Sequence, residues 1–281
     1  MSEDMAEHID VRAPLTLGQQ ASLINAFGQR DLKAKFNGTL LGWVWSLVVP
    51  LATLGIYAVI FGGLFRMQAP TVENRTGGIA LFALWLFAGL TVWGYFQNSI
   101  NAGINGLLSS GGLLQKVYFP AYAPVLGAGL AVGIQSAIEV GLLLVVLALL
   151  GFLNWSWLLI PALFALVVVF VQAISVILSI GNVYMRDLAQ LVGVILQLMF
   201  YATPIIYNVD IVPLEQWGIP LRFLVSHMPI AEYIELFRSL AYSSQVGAWT
   251  HWAACLGWAL LAYAGARLVV RKWGADLGEM I

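Results

Sequence analysis

Cysteine occurs once in this chain, as Cys255, and histidine three times, as His8, His227 and His251. One thiol excludes an intrachain disulfide and a cysteine-ligated metal cluster, and the scattered imidazoles follow no metal-ligand spacing. Cys255 lies in an apolar segment and reads as a small packed hydrophobe. Charge is equally scarce: Asp, Glu, Lys and Arg make up 10% of 281 residues, where soluble domains carry about 25%. The 13 basic and 14 acidic residues leave a net charge of −1, so there is no basic footprint for nucleic acid. No G-x-x-x-x-G-K-[ST] motif, nor any Gly-Lys pair, is present to cradle nucleotide phosphates. No G-x-S-x-G elbow and no H-E-x-x-H appear. The chain is therefore read as no enzyme, with no cofactor or metal of its own.

What it has in excess is apolar length. Hydrophobic residues reach 60% and the mean hydropathy is +0.86, with several runs above the roughly 20 residues that cross a hydrocarbon core. The pattern predicts an all-α membrane protein with six transmembrane helices, at about 40–65, 79–98, 121–150, 157–181, 190–207 and 253–270. Residues 1–38 are too charged to insert and lack the order of a signal peptide, so they form a cytosolic N-terminal segment ahead of one membrane domain over 39–281. Six spans put both termini on one side. With that side in the cytosol, nine basic residues (Arg12, Arg30, Lys33, Lys35, Lys116, Arg186, Arg267, Arg271, Lys272) face in and four (Arg66, Arg75, Arg222, Arg238) face out, as the positive-inside rule requires. Trp155, Trp157, Trp249, Trp252 and Trp273 fall at span ends, where amphipathic rings prefer the interface.

Within the spans the clear mid-membrane charge is Glu139. It has two readings: a group hydrogen-bonded to Gln135 one turn earlier, or part of a pathway. A single carboxylate is thin support for an ion-driven relay, so the energy for transport is expected from another chain. Polar stripes at steps of three and four run along several spans: Trp43, Ser46, Pro50, Thr53 and Tyr57 in the first; Gly94, Asn98, Asn101 and Asn105 in the second; Gln172, Ser175, Ser179 and Asn182 in the fourth; Gln190, Gln197 and Tyr201 in the fifth. They are either glue between helices or the wall of a shared polar interior. Neutral hydroxyls, amides and aromatic faces suit sugars better than ions. On this reading the substrate pathway takes in Trp43, Ser46, Thr53, Tyr57, Asn98, Gln172, Gln197 and Tyr201.

The connections are unusual. Residues 208–252 are too apolar for a free loop and are punctuated by Pro213, Pro220 and Pro229, which predicts short helices that dip into the outer leaflet and turn back between spans five and six. Residues 16–37 predict an interfacial helix with Ala21, Ile24, Leu32 and Phe36 on one face. Arg30, Lys33 and Lys35 would meet anionic groups there, whether lipid headgroups or a diphosphate. The segment 106–120 is glycine-punctuated and nearly uncharged, which predicts docking onto a partner. Arg186-Asp187 predicts a local ion pair at a membrane boundary.

At these residues a resemblance enters. Arg30-Asp-Leu-Lys-Ala-Lys35, followed by Leu41-Gly-Trp-Val-Trp-Ser-Leu-Val-Val-Pro50, resembles the N-terminal signature of ABC-2 type permeases that export polysaccharides. Leu114-Gln-Lys-Val-Tyr-Phe-Pro120 is similar to their loop before span three. Asn182-Val-Tyr-Met-Arg-Asp187, running into Leu196-Gln-Leu-Met-Phe-Tyr-Ala-Thr-Pro-Ile-Ile-Tyr207, resembles their signature from span four to span five. One departure is Met228-Pro229, where the family often has Asn-Pro. The resemblance implies two copies of this chain in the cytoplasmic (inner) membrane paired with two copies of a separate ATPase that holds ATP and magnesium. It implies export of a polyprenyl-diphosphate-linked glycan. It assigns ATPase coupling to Ser109, Leu113, Leu114, Gln115 and Lys116, and the exit to the re-entrant outer helices. Rival readings are an ABC-2 exporter of drugs or lipids, and a secondary transporter or scramblase needing no ATPase.

Overall fold

Thr16 caps a helix: its side chain accepts the Gln19 N–H, and the Gln19 side-chain oxygen accepts the Thr16 N–H at 2.9 Å, a reciprocal pair that satisfies two donors at the helix start. The computed structural model describes residues 16–65, 79–114, 119–215 and 218–274, and these form an all-helical protein.

Helix α1 (Leu17–Phe36) buries Phe27, with Leu23 and Ile24 beside it, against Phe119 and Ala123. The apolar face therefore differs from the predicted one: Ala21 is exposed, and the Phe36 side chain lies outside the described residues. A second run joins a 3-10 turn (Gly42–Val44), α2 (Trp45–Tyr57) and a π-helical segment (Ala58–Leu64). Pro50 sits inside α2 and removes one intrahelical donor.

Helix α3 (Ile79–Ser109) has 31 residues and runs past Asn98, where the sequence predicted a span end. The polar side chains fall on one stripe, while Ile100, Ile104 and Leu107 on the other faces are buried, so nothing breaks the backbone ladder. The short turn α4 (Gly111–Leu114) follows, so the predicted loop is helical over most of 106–114. The rest of the chain forms α5 (Tyr122–Leu149), a 3-10 turn (Trp155–Leu159), α6 (Ile160–Tyr184), α7 (Leu188–Ala202), α8 (Leu221–Ser226), α9 (Pro229–Ala241) and α10 (Trp249–Trp273). Arg186 and Asp187, both exposed, form no ion pair among the described residues, contrary to the prediction.

Among the described residues, four continuous helical runs are long and apolar enough to cross a membrane: Gly42–Leu64, Tyr122–Leu149, Trp155–Tyr184 and Trp249–Trp273. Helix α7 is apolar but shorter. The centre of the molecule is α3, wrapped by α5, α6 and α9, with α10 packed on α6 and α1 along α5. The α1–α5 contact rests on glycine: a Cβ on Gly127 would strike the Phe27 Cβ and come within 3.0 Å of the Gly28 nitrogen and the Ile24 carbonyl oxygen.

Candidate functional site

Almost every side chain of α3 from Phe82 to Leu107 is covered; the uncovered ones form a stripe. Asn98, Asn101 and Asn105 are exposed on it, with Gly94 half-buried above them. The face on one side of the stripe packs on α7, where Trp93 meets Phe200 with ring centroids 5.7 Å apart. The face on the other side packs on α5, where Gly106 approaches Ala128. The stripe is thus the floor of an open groove, and its own side chains are amides with no charge.

The groove's flanks are exposed as well. From α7, Leu191, Val194, Ile195, Leu198 and Tyr201 face outward, together with Gln197. From the first run, Trp43, Val44, Trp45, Leu47, Val48 and Val49 do so. These apolar faces border the exposed asparagines on both sides.

The predicted pathway residues divide accordingly. Trp43, Asn98, Gln197 and Tyr201 lie on the open surface. Thr53 is half-buried and donates to its own helix at the Val49 carbonyl, 2.9 Å away. Tyr57 packs against Phe61, ring centroids 5.8 Å apart. Ser46 is buried, and its carbonyl accepts from Gln135 at 3.3 Å. Gln172 is buried between helices, donating to the Tyr95 hydroxyl at 3.0 Å. Three of the four α6 stripe residues are used in this way, while Ser179 donates to the Ser175 carbonyl of its own helix. Ser175 donates to the Ser99 carbonyl at 2.9 Å, and Asn182 accepts the Ala189 N–H at 2.8 Å, which gives the first turn of α7 a side-chain partner. These residues glue helices together and sit away from the groove.

At the end of the groove nearest α1, a cavity of about 330 Å³ is lined by Asp31 and Lys35 of α1, Asn105 and Ser109 of α3, and Ala128 of α5. Arg30 pairs with Asp31 at 2.8 Å and lies over the Phe27 ring; Lys33 is exposed. Of the residues tied to ATPase coupling, Ser109 donates to the Gly106 carbonyl at 3.1 Å and Leu113 is exposed. The Leu114 side chain, Gln115 and Lys116 lie outside the described residues. Glu139 accepts from Gln135 at 3.4 Å, the partner expected one turn earlier.

The opposite end of the bundle holds charges whose burial the sequence did not reveal. Arg238 of α9 is 3% exposed. It donates to the carbonyls of Trp85 at 3.2 Å, Pro204 at 2.8 Å and Ile205 at 2.6 Å. Its guanidinium is cationic at neutral pH. No carboxylate among the described residues pairs with it. Glu232, 2% exposed, meets His251 at 2.5 Å, and Tyr233 donates to the Cys255 carbonyl at 2.6 Å. The last carbonyls of α9 receive side-chain donors too: Ser156 to Leu240 at 2.9 Å and Trp157 to Ala241 at 3.2 Å. A short buried helix in apolar surroundings needs such partners at its end. A signal for this cluster existed in the sequence, since Glu232, Glu235 and Arg238 recur at steps of three in a largely apolar stretch. Among the described residues no group of side chains is placed to hold a metal.

The family model described as ABC-2 type transporter matches residues 22–241. Two proteins of Klebsiella pneumoniae, each named O-antigen export system permease protein RfbA, are 27% identical over 235 residues, covering 83% of this chain and 85% of theirs. A protein of the same name from Myxococcus xanthus is 29% identical over 198 residues, 70% of this chain and 72% of its own.

Proposed function

The chain belongs to the ABC-2 type transporter family, and from that premise we propose that it is the membrane-spanning permease of an ATP-driven exporter that moves a polyprenyl-diphosphate-linked polysaccharide across the cytoplasmic membrane. The observation that carries the reading is the open groove over Asn98, Asn101 and Asn105, flanked by exposed apolar faces of α2 and α7. Uncharged amides offer a passing sugar polymer many weak contacts, with no charge to desolvate and no tight site to trap it. The relatives named for O-antigen export support the glycan.

On this reading the groove is half of a channel, and a second copy of the chain covers it. The six spans are the Gly42–Leu64 run, α3, α5, Trp155–Tyr184, α7 and α10. Helices α8 and α9 re-enter from the outer side, and both termini lie in the cytosol. Two copies of a separate ATPase bind ATP and magnesium and dock at the segment from Ser109 through Leu113, Leu114, Gln115 and Lys116. Arg30, Lys33 and Lys35 meet anionic groups at the cytosolic interface, lipid headgroups or the carrier's diphosphate.

The test is complementation in a bacterium that makes a polyprenyl-linked O-antigen but lacks its own exporter. Co-production of this chain with a family ATPase restores surface glycan, and the purified chain alone hydrolyses no ATP. Glycan accumulating in the cytosol despite assembly of both proteins in the membrane overturns the substrate. Export by the chain without any ATPase overturns the mechanism.

A further inference from the structure

On the side of the molecule formed by α5, α6 and α10 there is a second cavity, about 690 Å³ in volume, within the range of roughly 300–1,000 Å³ that holds organic ligands. None of its lining comes from α2 or α7, so it is separate from the groove. Its mouth is set by Leu17 at the start of α1 and by Arg271, with Arg267 one turn deeper on the same face of α10. Beyond the arginines most of the wall is apolar, built from residues such as Leu126, Val169 and Ala173, with Gln20, Tyr122, Gln172 and Tyr263 as its polar members. Val169 is itself 43% exposed, so the slot opens sideways at the depth of the hydrocarbon. Leu260, Leu261 and Leu268 of α10 are exposed along the same helix, as expected of a face turned to acyl chains.

Among the described residues nothing compensates the charge at the mouth. Neither Arg267 nor Arg271 forms an ion pair with a described residue. Two guanidinium groups one turn apart present planar forks that match phosphate oxygens, and basic pockets between spans at the cytoplasmic side favour anionic lipid headgroups. A slot with a cationic mouth, an apolar shaft and a lateral opening has the form of one lipid molecule.

We propose that this slot holds one anionic phospholipid of the surrounding leaflet, its phosphate on Arg267 and Arg271 and an acyl chain between α6 and α10. The proposal rests on the membrane-spanning reading above, and on its orientation for the leaflet that supplies the lipid. The lipid bridges α1 to α10, two elements that the groove does not join, and acts as a wedge that fixes their spacing.

The test is native mass spectrometry of the full-length chain in mild detergent, with phosphatidylglycerol and phosphatidylcholine offered as probes. One phosphatidylglycerol is retained per chain in preference to phosphatidylcholine. In Arg267→Gln/Arg271→Gln retention weakens roughly thirtyfold, the effect of two basic groups near an anionic surface, and Arg267→Lys/Arg271→Lys, which keeps the charge but loses the planar fork, falls between. Ala173→Phe, which fills the shaft and leaves both arginines in place, also loses the lipid. Equal retention of the two probes by the unaltered chain overturns the proposal, as does unchanged retention in the glutamine variant. Displacement of phosphatidylglycerol by undecaprenyl phosphate at a lower concentration makes the slot a carrier site and overturns the phospholipid. Retention is read without transport, so failure here leaves the export reading standing, and failed glycan complementation leaves this result standing.

Discussion

The guanidinium carbon of Arg238 lies 3.5 Å from the centroid of the Trp85 ring, and its Nε donates to the Trp85 carbonyl as well. One side chain thus fastens α9 to the first turns of α3. Its two terminal nitrogens donate to the carbonyls of Pro204 and Ile205, where α7 has ended and the backbone has no helical partner. The cation is satisfied by oxygen lone pairs and an aromatic face in place of a carboxylate.

Arg238→Ala should therefore lower stability more than alanine at any exposed arginine. It leaves buried carbonyls without donors, at about 1–3 kcal/mol for each. Arg238→Lys retains the charge but loses the planar fork, and should fall between. The measurement is the apparent Tm of the detergent-purified protein, followed by tryptophan fluorescence. An unchanged Tm in Arg238→Ala would remove the fastening role.

Gly89 tests the same contact from the other side. A Cβ there would overlap Nη2 of Arg238 and lie 3.0 Å from its guanidinium carbon. Gly89→Ala should destabilise the unaltered chain, yet cost little in an Arg238→Ala background, because the obstructing group has gone. The coupling read from this double-mutant cycle should be about 0.5–3 kcal/mol, the range for residues in contact. Additive effects of the two changes would mean that they do not touch.

The spans were legible because apolar length is a local property. The predicted 121–150 and the observed α5 (Tyr122–Leu149) differ by a residue at each end, and Trp249 and Trp273 do bound α10. The helix of the second span continues past Asn98 to Ser109, along the stripe whose helical spacing the sequence showed. Only tertiary packing reveals that Ile100, Ile104 and Leu107 remain buried on the other faces. The α6 and α3 stripes look alike in sequence, yet one is glue and the other is open. The difference lies in whether a partner such as Tyr95 or Ser99 stands opposite. Arg238 was read as an outward-facing charge for the same reason: its acceptors stand 33 to 153 residues away along the chain.

That contrast between stripes can be measured. In a Cys255→Ala background, cysteine at Asn98, Asn101 or Asn105 should react readily with a membrane-impermeant thiol reagent in the purified chain. Cysteine at Ser175 or Gln172 should react at least about tenfold more slowly, since both positions are buried. Reaction at Asn101 should fall when a second copy covers the groove, and a glycan in transit should protect it further. Equal labelling of the two stripes would mean that α3 is covered in solution, and the channel would have to be built on another face.

The contact between α1 and α5 offers a test in which packing and helix propensity oppose each other. Gly127 and Gly141 both lie within α5, and in a helix interior alanine is favoured over glycine by about 1 kcal/mol. Around Gly141 no atom lies within 4 Å of an added Cβ, so Gly141→Ala should leave the protein as stable or slightly more so. At Gly127 the added carbon would strike the Phe27 Cβ and press on the Gly28 nitrogen and the Ile24 carbonyl oxygen, each 3.0 Å away. Two of the three are backbone atoms that cannot turn aside, so α1 must lift off. A helix of 20 residues without its packing surface is marginal in water, and Lys33 and Lys35 in its last turn then become substrates for trypsin through local unfolding. Gly127→Ala should raise the cleavage rate at those lysines about fivefold or more over the unaltered chain, with Gly141→Ala as the control that changes nothing. Equal cleavage of all three proteins would place α1 off α5 from the start, and the cavity between Lys35 and Ser109 would lose one of its walls.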